Sequence, residues 1–199
     1  MHVGKKGLRA LGIAESFADR SSSTLAGVVM RKDMQIDGIA LTQITVGGMD
    51  ATEGIERIVD ILHRHDINVL MISGAVIAWY NIIDPGRIHE QTELPLIMVT
   101  YEESEGLEGD IIRHFPGDDF RLDAYRRLGI RNPVLLSTGY TVYIRAWGIP
   151  ESDAAALCNA FTKDGKIPEP LRVARLIARA VTNLSGKPGN EGHRVKTMD

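Results

Sequence analysis

Apolar positions along the chain change their period several times, and each change marks an element. Leu8, Ala10, Leu11, Gly12, Ile13 and Ala14 form a short buried run that ends at Glu15 and Ser16. LAGVVMR, from Leu25 to Arg31, is a second run. GIALTQITV, from Gly38 to Val46, is a third, in which Ile39, Leu41, Gln43 and Thr45 alternate with Ala40, Thr42, Ile44 and Val46. Such runs bounded by polar residues predict strands. The links between them, Asp19 to Ser23 and Lys32 to Gly38, are short, which predicts antiparallel neighbours.

The period then becomes helical. Ile55, Ile58, Val59 and Leu62 follow Asp50, with Glu53 three residues after it, as in a capping box. Val69-Leu70-Met71-Ile72 is apolar throughout and stops at Ser73-Gly74. That pattern suits a central parallel strand covered on both faces. Residues 77–93 are predicted to hold a short helical stretch and then a helix beginning near Pro85, with Asp84 as its N-cap. Leu94 to Val99 is the next strand. Helices over about 105–115 and 118–128 follow, then strands at Val134 to Ser137 and Thr141 to Ala146, then helices over 151–162 and 168–184.

Three antiparallel strands, then helix, strand, helix and strand, predict an α/β fold of the ribonuclease H-like kind: a mixed sheet with helices on both faces and C-terminal additions. Residues 1–184 read as one domain. Residues 185–199 carry almost no apolar side chains and are expected to form a mobile tail.

Composition changes this picture little. With 44% hydrophobic and 25% charged residues in 199, the chain is ordinary globular protein. A formal charge of -3 excludes a uniformly basic nucleic-acid binder but permits a local basic groove. Sixteen arginines against seven lysines suit bidentate phosphate contacts, although genome base composition produces the same bias. Cys158 is the only cysteine, so no disulfide forms within the chain, which favours a reducing, cytoplasmic setting. The N-terminal apolar run is too short and too broken for a signal peptide, and no segment reads as membrane-spanning.

Candidate chemistry sits mainly at predicted strand and helix ends. Glu15 ends an apolar strand, where a carboxylate is either a metal ligand or general base, or a loop residue. Alternation points it away from the face that Ala14 takes, unless the strand ends or bulges there. Ser73 lies where a parallel strand releases the chain, the usual place for ligands. Asp84 is a helix cap or a second carboxylate of a site. Asn81 can bond a phosphate or satisfy buried backbone. Gly47-Gly48-Met49-Asp50 opens a helix, but Asp50 repels an anion there. His63 and His65 are two apart, so they face different sides and suit a helix C-terminus better than zinc. Glu169 and Arg172 fit a helix start, and Arg172, Arg175 and Arg179 form a basic stripe that is either a solvated face or a phosphate contact.

Four stretches in order, LGIAES, ITVGGMDATEGI, SGAVIAWYNIID with TELPLIMV, and GKIPEPLRVARLIA, resemble the archaeal endonuclease dU family over about residues 7–184. That family is regarded as a distant relative of endonuclease V. The resemblance implies a metal-dependent endonuclease acting on DNA, with Mg²⁺ or Mn²⁺ held by Glu15. It implies catalytic roles for Glu15 and Asp84, and substrate contacts from Ser73, Asn81, Glu169 and Arg172. The aspartates that end the corresponding strands in endonuclease V fall at Ala14 and Ser73. The first acid of the endonuclease dU pair likewise falls at Ala14, and the second at Glu15. A methyl group cannot ligate a metal. Two functions therefore stand side by side: a hydrolase of the endonuclease dU type, and a non-catalytic nucleic-acid- or nucleotide-binding protein that keeps the fold. A third is a different hydrolase built on Asn81, Asp84 and Glu169. A homo-oligomer is compatible with all three, and a membrane partner with none.

Overall fold

The computed structural model describes residues 5, 7–19 and 21–185; the expected tail, beyond residue 185, lies outside the described residues. In chain order the elements are β1 (Arg9–Ser16), β2 (Ser22–Arg31), β3 (Ile36–Thr45), α1 (Ala51–Leu62), β4 (Val69–Ser73), β5 (Val76–Ile77), β6 (Asn81–Ile82), α2 (Pro85–Thr92), β7 (Leu96–Thr100), α3 (Glu108–His114), α4 (Asp119–Arg127), β8 (Asn132–Leu135), β9 (Thr141–Trp147), α5 (Glu151–Phe161) and α6 (Glu169–Ser185).

Seven strands form one mixed sheet in the order β3-β2-β1-β4-β7-β9-β8. The pairs β1–β2 and β2–β3 are antiparallel, as the short links require. The apolar run of β4 lies between β1 and β7 and is parallel to both. It has no solvent face, which is why its sequence does not alternate. β9 and β8 then close the far edge antiparallel.

Side-chain parity divides the sheet into two faces. Leu11, Ile13, Leu70, Ile72 and Met98 pack with Ile55 and Ile58 of α1 and Ile88 of α2. On the opposite face, Ala10, Val69, Met71, Ile97 and Val99 pack with Leu157, Cys158 and Phe161 of α5. Burial there pushes the Cys158 thiol up to about 12. Farther along that face, Ala14, Ala26 and Val28 meet Ala174 and Ala178 of α6. The small side chains let α6 lie close. At its first turn the approach is closer still: a Cβ on Gly12 would sit 2.5 Å from the ring and carbonyl carbon of Pro170. Two stretches 158 positions apart, LGIAES and GKIPEP, are thus two halves of one contact.

Two local expectations are corrected. Asp50 precedes α1 without capping it. Its carboxylate turns back and accepts from the Thr45 N–H and hydroxyl, while the Asn81 side-chain carbonyl accepts the Ala51 N–H at 2.9 Å. Burial opposes the charge on Asp50, but hydrogen bonds from Asn81 and Thr45 outweigh it and hold its pKa below the usual carboxylate range. The short helical stretch expected after Ser73 is instead a hairpin, β5 with β6. Its tip is Ala78-Trp79-Tyr80, all left-handed, with φ of 41°, 61° and 60°.

Candidate functional site at the carboxyl ends of the central strands

β1, β4 and β7 end side by side, and the residues singled out in the sequence fall around them in three separate places. Glu15 lies on the α1 face. Its carboxylate accepts from the Ser23 hydroxyl on β2 and, at 3.3 Å, from the Ala78 N–H at the hairpin tip. Both oxygens are therefore engaged, one of them by the left-handed turn.

That turn demands support. An L-residue in the left-handed region costs about 1–2 kcal/mol, and three in succession occur only where neighbours impose them. The Gly47 N–H donates to the Ala78 carbonyl at 2.8 Å. Arg121 of α4, 5% exposed, donates to the Tyr80 carbonyl and, at 3.0 Å each, to the carbonyls of Gly47 and Gly48. Asp118 neutralises it at 2.9 Å, and the Phe115 ring covers it at 3.9 Å. Asn81, just past the tip, is fully buried. Its side-chain NH₂ donates to the Thr45 carbonyl at 2.9 Å and to Asp50 at 2.7 Å. The expected substrate ligand is thus a clamp between α1 and the hairpin, with both side-chain N–H donors spent and its carbonyl buried against α1. Trp79 remains 47% exposed beside His114 and Tyr80, at ring-centroid distances of 5.2 and 5.4 Å.

The second group lies on the α6 face. Ile13 pairs with Ile72, so Ala14 and Ser73 follow as neighbours pointing the same way, opposite to Glu15. The Ser73 hydroxyl is 3.2 Å from the Tyr101 hydroxyl, whose pKa burial raises. Arg175 of α6 stands 5.7 Å from the Tyr101 ring, and Lys166 donates to the Tyr101 carbonyl at 3.1 Å. At the start of α6, Arg172 holds Glu169 at 2.6 Å, which raises the guanidinium pKa further. Glu169 is largely covered and Arg172 is exposed.

The third position is Asp84. Its carboxylate accepts the Arg87 N–H at 3.1 Å and caps α2, while its own N–H donates to Thr52 at 2.9 Å. Arg87 then bridges to Glu53 and Glu56 of α1, at 2.5 and 2.7 Å.

A divalent metal needs several oxygen ligands converging on one point. Here a methyl stands at residue 14, Ser73 faces Tyr101, and the Glu15 carboxylate turns to the other face, towards Ser23 and Ala78. Among the described residues no group of three His, Cys, Asp or Glu side chains could hold an ion. The donor set does not fit the metal that the resemblance implies.

Sequence reasoning missed the tip, Tyr101 and Arg121. The phrase AWYN carries the one available signal, two aromatics beside a buried amide. Arg121 has none, because DDFRLDAYRR reads as an ordinary solvated helix.

The comparisons agree with this architecture. The UPF0215 protein of Pyrobaculum calidifontis is 39% identical over 86% of this chain and 95% of its own. A crystal structure of a protein of unknown function from Archaeoglobus fulgidus superposes with a TM-score of 0.76 at 26% identity, covering 87% of this chain and 98% of that one. Ciona intestinalis endonuclease V, solved with an inosine-containing 24mer DNA, shares the fold at a TM-score of 0.63 and 14% identity, over 90% and 88% of the two chains. The Endonuclease dU family model matches residues 6–182, so the chain belongs to that family.

Proposed function

We propose that this protein binds nucleic acid, specifically DNA, across the carboxyl ends of β1, β4 and β7, and does so without a divalent-metal cage. The observation carrying this reading is the pair Ala14 and Ser73. They are neighbours on one sheet face, neither is acidic, and Glu15 points to the other face. The partner is argued from the family, from the DNA-bound endonuclease V of the same fold, and from the surface at this end. Arg172, Arg175 and Arg179 are exposed along α6, and Trp79 presents an aromatic face.

In this reading Ser73, Arg172 and Arg175 meet the strand. Glu15, Asn81 and Asp84 act as positioning residues for the hairpin, α1 and α2. The second reading, a metal-dependent endonuclease with Glu15 as ligand, rests on the family name and on the place of Glu15 at the end of β1.

One experiment separates them. Fluorescein-labelled deoxyuridine- and deoxyinosine-containing DNA is titrated in EDTA, then incubated with Mg²⁺ or Mn²⁺. The proposal expects binding in EDTA that weakens steeply with salt, and no cleavage. Metal-dependent cleavage that Glu15→Gln abolishes overturns it in favour of the second reading.

A further inference from the structure

A separate cleft of about 210 Å³ opens just beyond β4 and β7. Its lining includes Gly74, Val76, Thr100, Ser104, Arg131 and Arg145. Arg145 lies opposite Met98 on the adjacent strand, so it emerges on the same sheet face as Glu15. Its Nε donates to the Gly129 carbonyl at 3.1 Å. Arg131 donates to the Ser104 carbonyl at 2.7 Å, to the Ser104 hydroxyl at 3.0 Å and to the Glu102 carbonyl at 3.4 Å.

What these arginines lack is a counter-charge. The arginines that hold the hairpin and α2 are each closed by a carboxylate: Arg121 by Asp118, Arg87 by Glu53 and Glu56. Among the described residues no carboxylate pairs with Arg131 or Arg145. The acidic loop beside them does not supply one. Glu102 pairs with Lys166, Glu108 pairs with Arg126 at 3.0 Å, and Glu103 and Glu105 are exposed. The two guanidiniums instead feel one another: burial first, and then the charge of Arg131, lower the Arg145 pKa.

Two like charges lining one cleft, with the hydroxyls of Thr100 and Ser104 in the same lining, make a receptor for an oxyanion. Planar guanidinium groups match phosphate geometry. The cleft is smaller than the roughly 300–1,000 Å³ of whole-ligand pockets, so it takes a group and not a nucleotide. We infer that Arg131 and Arg145 form a phosphate-binding subsite that receives a backbone phosphate of the bound nucleic acid. The source of that phosphate rests on the proposed DNA-binding function; the chemistry of the cleft does not.

The test uses the full chain, Arg131→Gln with Arg145→Gln as a double variant, and Arg145→Lys as the charge-conserving variant. Labelled DNA and inorganic phosphate are the probes. For DNA, anisotropy titrations over several salt concentrations should show affinity about tenfold weaker in the double variant. The slope of log K against log salt should be shallower by about 0.9 for each phosphate that is no longer neutralised. Arg145→Lys should recover part of the affinity. Inorganic phosphate should raise the Tm of the unmodified protein and not that of the double variant. Without ligand, the double variant loses the mutual repulsion together with the hydrogen bonds to the Ser104, Glu102 and Gly129 carbonyls, so each protein's own ligand-free Tm is the baseline for the phosphate comparison. DNA binding with unchanged affinity and slope in the double variant overturns the subsite while leaving the function standing. A phosphate-dependent Tm rise that depends on both arginines, in a protein that binds no DNA, keeps the anion site with free phosphate as its ligand and removes the nucleic-acid reading. A double variant that melts lower, with no phosphate effect in either protein, marks the pair as structural and overturns the inference.

Discussion

Replacing Gly12 with alanine puts a methyl group where the chain has no room for one. The new Cβ would stand 2.5 Å from the carbonyl carbon and ring of Pro170 and 2.6 Å from its carbonyl oxygen. Neither side can yield by a rotamer change. Gly12 is in β1, paired on both edges with β2 and β4, and Pro170 is in the first turn of α6. The helix must lift, and the Ala14–Ala174–Ala178 packing beyond it opens. Overpacking typically costs about 1–3 kcal/mol. Because the obstruction is backbone and proline ring, the upper end applies, about 3 kcal/mol. For a chain of this size that corresponds to a fall in Tm of about 6–12 °C. Thermal unfolding followed by circular dichroism measures it. Gly109→Ala in α3 is the control: nothing lies within 4 Å of its Cβ position. Removing a helical glycine should leave Tm equal or slightly higher. A Gly12→Ala protein melting within about 2 °C of the unmodified chain would refute the claim that α6 is seated by this contact.

Two further outcomes follow from the clamp on the hairpin and from the surface charge network. Arg121→Met strands the carbonyls of Gly47, Gly48 and Tyr80 and leaves Asp118 without its cation, so it should cost about 3 kcal/mol or more. Limited chymotrypsin digestion should then cut at the Trp79-Tyr80 tip, and an unchanged digestion pattern counts against Arg121 as its clamp. Asp66 is held down to about 2, first by the hydrogen bond from Arg64 and then by the charges of Arg64 and Arg9. A depressed carboxylate stabilises the fold above its ordinary value near 4 and loses that contribution as pH falls towards 2. Asp66→Asn should therefore melt slightly lower at neutral pH and converge with the unmodified protein near pH 2. The effect is small because Asp66 is 46% exposed and its pairs are screened. Parallel Tm-against-pH curves would discount it.

Periodicity in the sequence is enough to place the sheet. Alternation in β3, the unbroken apolar run of β4 and the Asp84-Pro85 cap each follow from neighbours only a few residues away. Strand parity alone also separates Glu15 from Ala14. The hairpin tip is hidden for the opposite reason. Ala, Trp and Tyr do not choose left-handed φ. Glu15, Gly47 and Arg121 impose it from 63, 31 and 41 positions away. Asp50 misleads likewise: a good cap in sequence, it is displaced by Asn81, 31 positions on. The phosphate cleft shares this property. Arg131 and Arg145 carry no local signal and meet only because β8 and β9 fold back beside β7.

The seat of α6 on Gly12 also fixes an order of events during synthesis. β1 ends at Ser16 and α6 begins at Glu169, so β1 is synthesised well before α6, and it lies inside the sheet between β2 and β4. Around Gly12 and Ala14 one of its faces has no cover until α6 is made. At about 5–20 residues per second, that face waits on the order of ten seconds or longer. Over that interval the nascent chain carries an open apolar strand, and α6 is the latch that ends its exposure.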